Sequence, residues 1–314
     1  MTDVGALLRE CYGFDWPREL FDVAALAQRL SPEAPANAFA ALGTTLVGPF
    51  DVMWLGTRNS ALSPLLHWRF QHDPPELFTV MMGDADHVHW GYWMDVGPAE
   101  AMHVVEAATD ERALAHAGAS LRASLLARIE RIRTGDALVR DTRRDVDAIG
   151  AIERALRELP AVDAPARAAI IPSDPRALSL FEDATIDRMG IVVHATQRTR
   201  SAWRERANSL AMGVRASDVR MLARRALDAG KPGDALAIAR DAWTADPRTY
   251  GRVASEIAAS AYAMLRRPIL ERVARIHGAA RRLPRVDIGS FDDAEVRSLL
   301  DEGLVDEAAL VRTP

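Results

Sequence analysis

Two short constellations in the first hundred residues hold residue types that can do chemistry. His87-x-His89 lies among Asp84, Asp86 and Asp95. Alternate residues of a strand share a face, so the two imidazoles could converge on a metal ion. A catalytic metal centre needs a further His or Glu from elsewhere, and nothing in the sequence singles one out. The plainer reading is a turn followed by a partly buried histidine. Asp73-Pro74-Pro75-Glu76 sets two carboxylates around a rigid turn. Paired carboxylates can split their pKa values and share acid–base work. Surface turns use the same residues for capping and solubility, and that reading is preferred.

Other chemistries lack their signatures. Neither GxGxxG nor GxxxxGK[ST] occurs, so no phosphate loop is expected, and GxSxG and HExxH are also missing. Cys11 is the single cysteine, which excludes an internal disulfide and suits a reduced, cytoplasmic setting (nuclear if the source is a eukaryote). A net charge of −5 gives no sign of general nucleic-acid affinity. Lys231 is the only lysine among 39 basic residues, so arginine-rich helix faces read as solvated surface rather than phosphate sites. No apolar run approaches the roughly 20 residues of a membrane span. No secretory leader is expected either, because no basic stretch precedes an apolar core at the start.

The elements that must position these residues fall into two textures. Leu7 to Leu30 reads as helix broken at Asp15-Trp16-Pro17, with Pro17 in the first turn of the second piece. Asn37 to Leu42 suggests a short helix. From Thr44 the period becomes strand-like. Thr45 to Val47, Phe50 to Leu55, Leu65 to Phe70, Leu77 to Met82, Val88 to Met94 and Met102 to Ala107 are strand candidates of an antiparallel meander. The stretch Leu46–Asp95 also holds Trp54, Trp68, Trp90 and Trp93, four of the seven tryptophans, and so marks the best-specified packing.

Beyond Gly97-Pro98 the pattern is helical: Glu111 to Arg133, Asp136 to Leu159, Ser217 to Asp228, Gly233 to Ala245, Pro247 to Leu265 and Pro268 to Arg282. Pro160 to Pro175 reads as a boundary or long loop, Arg188 to His194 as one short strand, and Phe291 to Val311 as a terminal amphipathic helix. The expectation is an α+β protein with N-terminal helices and an antiparallel sheet, followed by a mainly α-helical C-terminal portion with a short strand. Its expected divisions are residues 1–110, 111–160, 176–283 and a tail at 284–314.

Several of these segments resemble the histone PARylation factor family. Tyr12-Gly13-Phe14-Asp15-Trp16-Pro17, Leu46-Val47-Gly48-Pro49-Phe50-Asp51, Leu66-His67-Trp68-Arg69-Phe70 and Asp73-Pro74-Pro75-Glu76 come in the family's order and spacing. Gly83-Asp84, His89, Gly91-Tyr92 and Asp95 continue the pattern. The likeness fades from Pro98 to Pro175, resumes at Gly190 to Val193, and returns from Tyr250 to Arg267.

The resemblance implies an accessory factor of ADP-ribosylation, in the setting of the DNA damage response, that is not an enzyme on its own. It would dock on the catalytic domain of an ADP-ribosyltransferase such as a poly(ADP-ribose) polymerase, and could also meet the acceptor protein. NAD would be held by that partner and not by this chain, with neither membrane nor direct nucleic-acid contact. In such a complex a family glutamate takes the proton of an acceptor serine. Counting back from Tyr250, Val253 and Tyr262, the family's Asp-Glu pair falls on Asp228 and Ala229, so the glutamate is missing. A family histidine falls on Arg248, and a partner-contacting Tyr-Arg pair falls on Trp203-Arg204. Asp228, or Asp234 after a rebuilt loop, is the candidate substitute base. The competing expectations are a non-catalytic interaction scaffold and an enzyme with an unrecognised site in the aromatic stretch.

Overall fold

The computed structural model describes residues 3–55, 64–65, 68–70, 72–83, 88–95, 102–108, 114–135, 145–160, 178–181, 185–199 and 209–280. The chain is α+β and divides into two compact units that interleave in sequence. The first comprises Met1–Arg58, Leu77–Asp110 and Ala115–Ile170; the second comprises Asn59–Glu76, Glu111–Leu114 and Ile171–Pro314. The turn Asp73-Pro74-Pro75-Glu76 therefore belongs with the C-terminal helices, although it directly precedes a strand of the first unit.

In the first unit, helix α1 (Val4–Tyr12) starts at Asp3, whose carboxylate accepts from the Gly5 amide, and ends at Gly13 with φ 84°. Helix α2 (Arg18–Leu30) follows Pro17, which occupies the cap position with no side-chain hydrogen bond. Asp15 does not cap it; it pairs with Arg9 at 2.5 Å. Two 3-10 turns, Pro35–Asn37 and Ala40–Leu42, replace the short helix expected there.

Strands β1 (Thr44–Leu46), β2 (Leu77–Gly83), β3 (Val88–Trp93), β4 (His103–Ala108) and β5 (Ala115–Gly118) form one antiparallel sheet in that spatial order. Three sequence expectations fail here. Phe50 to Leu55 is not a strand but part of helix α3 (Pro49–Leu55). Pro49 suits the first helical turn, the Asp51 carboxylate takes the Gly48 amide at 2.8 Å, and Phe50 stacks on Trp54 one turn on. The region from Ala115 to Gly118 is the edge strand β5, not the start of a long helix; helix α4 (Leu121–Thr134) begins only at its cap, Ser120. Leu65 to Phe70 shows no strand in its described residues, and Trp68 there has φ 55°.

The glycines of the signature stretch have a steric purpose. A Cβ on Gly48, which has φ +68°, would lie 2.4 Å from the Thr79 carbonyl oxygen. One on Gly91 would lie 2.6 Å from the Phe78 carbonyl oxygen. Only glycine lets α3 and the β2–β3 ladder approach so closely. Around them, Tyr12, Phe14, Trp16, Phe78 and Tyr92 pack with centroids 4.9 to 6.1 Å apart, mostly edge to face.

Glu19 in α2 ties this core to the next helix. Its carboxylate accepts from the Tyr92 hydroxyl at 3.2 Å and from the amides of Leu121 and Arg122 at 3.2 and 2.5 Å. A buried acid thus caps α4 at the end where free amides favour negative charge. Burial raises its pKa above the ordinary carboxylate value, against the lowering effect of those hydrogen bonds. Helix α5 (Val146–Glu158) buries Ile149, Ile152 and Leu156.

In the second unit, β6 (Leu178–Phe181) pairs antiparallel with β7 (Ile191–His194). The sequence reading finds β7 and misses its partner. The helices α6 (Ala216–Asp228), α7 (Pro232–Ala245), α8 (Pro247–Met264) and α9 (Pro268–Ala280) follow. Each lies within two or three residues of its expected bounds. Helix α7 packs on α6, α8 and β7, and α8 packs on α9. The proposed tail helix, Phe291 to Val311, lies outside the described residues.

Candidate functional site

The connection between α6 and α7 begins at Asp228 and Ala229, where the resemblance sets the family's acidic pair. Helix α6 ends in a left-handed turn at Gly230, φ 69°. The Gly230 amide donates to Leu227 at 2.9 Å, and the Lys231 amide donates to Ala226 at 2.8 Å. Pro232 then opens α7 at once.

This short link is anchored on its far side. The Lys231 ammonium donates to the Thr196 carbonyl at 2.6 Å. A Cβ on Gly233 would meet a Val193 methyl at 2.8 Å and the Gln197 carbonyl at 3.0 Å, so α7 sits directly on the segment after β7. Asp234 accepts from the Thr199 amide at 3.0 Å and from its hydroxyl, with Arg198 at 3.6 Å.

The two carboxylates proposed as substitute bases therefore differ. Asp234 is buried and engaged by Thr199 and Arg198. Asp228 is the last residue of α6, its side chain 65% exposed and 3.3 Å from Arg224 one turn earlier. Ala229 is exposed beside it.

Arg248 is exposed in the first turn of α8, where its amide is capped by Asp246. It is not brought to Asp228. The Tyr250 hydroxyl donates to the Val214 carbonyl at 2.6 Å, and Arg220 pairs with Glu256 at 2.6 Å. Both contacts span 36 residues, so α6 and α8 run side by side in one direction. That register sets Arg248 near the start of α6, on the order of 20 Å along the axis from Asp228. Trp203 and Arg204 lie outside the described residues.

Of the two constellations near the start of the chain, the carboxylate pair is built into the packing. Asp73 and Glu76 are not in a surface turn; both are 1% exposed. Asp73 accepts from the Phe70 amide at 2.9 Å. Arg69, equally buried, donates to the carbonyls of Leu65, Pro74 and Pro75 at 2.8 to 3.1 Å, which holds the turn closed. Glu76 faces Arg240 of α7 at 3.6 Å. Arg240 also binds the Asp187 carboxylate at 2.5 Å and the Gly190 carbonyl. Burial alone would lower the guanidinium pKa; Asp187 and Glu76 outweigh it, and the net shift is upward. Burial, with Glu76 nearby, drives the Tyr262 phenol upward as well. His89 is buried within β3, while Asp84, Asp86 and His87 lie outside the described residues. Among the described residues no three His, Cys, Asp or Glu side chains converge for a metal.

Sequence reasoning misses the Arg240 network because its members are far apart in the chain. The one available signal is charge within an apolar run, Arg240-Asp241 between Ala239 and Ala242, since such charges are seldom buried unpaired. Asp241 is likewise engaged, taking the Ile186 amide at 2.8 Å.

Comparison with known proteins agrees with the signature motifs. Histone PARylation factor 1 of Mus musculus is 34% identical over 100 residues, 30% of this chain and 29% of that protein. The Danio rerio protein of the same name is 35% identical over 113 residues, 33% of this chain and 32% of its own length. A human protein, "Putative histone PARylation factor 1-like", is 27% identical over 95 residues, 29% of this chain and 27% of that protein. The chain thus matches about three tenths of the length of these relatives. The family model for histone PARylation factor 1 covers much more, residues 4–211. With two thirds of its length matched by that model and the motifs built into its core, the chain belongs to the histone PARylation factor 1 family.

Proposed function

We propose that this protein is an accessory factor that docks on the catalytic domain of an ADP-ribosyltransferase and presents Asp228 to an acceptor serine. The observation that carries this reading is the family match over residues 4–211. Asp228 lies beyond that match, so its role rests on its own setting: exposed, at a helix end, beside an anchored link.

The required chemistry is modest. A serine hydroxyl is a weak nucleophile until a carboxylate within hydrogen-bond reach takes its proton. NAD, held by the transferase, supplies the ADP-ribosyl group. Asp228 accepts the proton as the serine oxygen bonds to the ribose carbon and nicotinamide departs. Arg224 orients the carboxylate. Asp234 is the poorer candidate, because Thr199 and Arg198 already occupy it.

One observation favours a second reading, docking without chemistry. Ala229 stands where the family glutamate falls; it cannot accept a proton, and Asp228 is a shorter side chain turned about 100° away on the helix. Affinity capture from the native host, followed by assay with the purified transferase, tests both readings. Recovery of an ADP-ribosyltransferase whose acceptor pattern changes when the chain is added supports the first. Recovery with no change in pattern leaves the second. Recovery of no transferase, with no effect in vitro, overturns both.

A further inference from the structure

We propose that the outward face of α6, with the adjoining exposed row of α8, is a docking surface for an acidic, partly apolar segment of a partner protein. The proposal rests on the accessory-factor reading only in that this face meets a protein; it does not depend on ADP-ribosyl chemistry.

Helix α6 turns Val219 and Ala223 inward. At 100° per residue the opposite side presents Met221, Arg224, Arg225 and Asp228. Met221 and Leu222 are each 46% exposed, and the Arg225 guanidinium lies 3.8 Å from the Met221 sulfur. Beside them, Arg248, Arg252, Glu256 and Ser260 form an exposed row on α8 at four-residue spacing, joined to α6 through Arg220 and Glu256.

Charge names the occupant. Six arginines lie on these two helices and their caps against four acids, in a chain whose net charge is −5. Three of the acids are already engaged: Asp228 by Arg224, Glu256 by Arg220, and Asp246 by the amides of Arg248 and Thr249. Each arginine has five N–H donors, so those in ion pairs keep donors for a partner carboxylate. A net positive face on an acidic protein selects and steers an acidic partner.

The apolar centre argues for a polypeptide over a nucleic acid. Methionine and arginine are enriched at protein interfaces, and methionine adapts to varied side chains. Strand-binding proteins instead offer aromatic rings for base stacking, and among the described residues no large exposed apolar side chain is aromatic. Arginines alone fit a merely solvated helix; arginines around exposed Met221 and Leu222 fit an interface.

Fluorescence anisotropy with the full chain tests this. The probes are a labelled amphipathic helical peptide with glutamate and leucine faces, its lysine counterpart, and an oligo-dT strand. The glutamate peptide should bind, and more weakly as salt is raised. Reversing Arg220, Arg224 and Arg225 to Glu should weaken it about tenfold and admit the lysine peptide. M221S with L222S should weaken it without changing the charge preference, which gives a second route if the triple variant fails to fold by circular dichroism. Failure of the glutamate peptide to bind, or equal binding of the lysine peptide or oligo-dT, overturns the proposal. Peptide binding with no effect on any transferase removes the proposed function and leaves this surface standing; the reverse result removes the surface alone.

Discussion

Both compact units bury carboxylates, and one cluster in each satisfies them by different means. In the first unit Glu19 is met by two backbone amides and the Tyr92 hydroxyl. In the second, Glu76 and Asp187 share the guanidinium of Arg240. Glu19, held by neutral donors, is displaced toward its protonated form by burial. An acid held by a buried cation becomes hostage to that cation. The first arrangement lets a helix begin inside a packed core. The second binds a turn (Glu76), a loop (Asp187) and a helix (Arg240) that the sequence alone keeps far apart.

The largest expected effect comes from deleting the shared cation. Arg240→Met takes the shared cation from two buried carboxylates and should cost about 3–5 kcal/mol in denaturant unfolding. Hydrogen exchange should rise first at the amides of Ile186, Met189 and Gly190, which Asp241, Asp187 and Thr185 now hold. A loss no larger than that of an exposed ion pair would contradict the network's role.

Glu19→Ala strands neutral donors rather than charges. Its expected cost is smaller, roughly 1–3 kcal/mol, with faster exchange at Leu121 and Arg122. If it exceeds the loss from Arg240→Met, the contrast between the two clusters fails.

Within the first unit, titration separates Glu19 from an acid held by surface cations, at smaller amplitude. Glu19 has a folded pKa raised above 4.5, so its contribution is fully present below the unfolded value and is lost as pH rises through the folded value. Wild type should therefore lose stability relative to Glu19→Gln on going upward from about pH 4.5. Glu153, on the surface of α5, has the opposite sign. Hydrogen bonds from Arg133 and Arg157 hold its pKa down to about 2. Its contribution is present above 4.5 and is lost as pH falls from there through about 2, with salt weakening it. Urea midpoints across pH for the two Gln variants should thus diverge in opposite directions. Parallel curves would break the comparison.

The first unit was the more legible in sequence, because its order comes from local pattern. Alternation in Leu77 to Met82 and Val88 to Met94 marks β2 and β3 to within a residue or so. Two failures there have local causes. Gly48-Pro49 reads as a break between strands, yet Pro49 opens a helix. Ala115 to Gly118 is alanine-rich and helix-like, yet sheet pairing with β4 overrides that propensity. The second unit's helices were also readable from period and caps. Its interior was not, since whether Glu76 lies on the surface or against Arg240 depends on contacts between distant segments. The candidate site was half legible: counting from Tyr250 identifies Asp228 and Ala229, but only the structure separates exposed Asp228 from engaged Asp234, and Asp228 from Arg248.

The proposed role of Asp228 is to take the proton of an acceptor serine on a docked transferase. Residue-level mass spectrometry of ADP-ribosylated acceptor, with the host transferase and either wild-type chain or Asp228→Asn, tests it directly. Chain-dependent serine modification should fall by about 10²-fold or more with the asparagine, while capture of the transferase is unchanged. Equal serine modification with both chains would remove Asp228 from the chemistry.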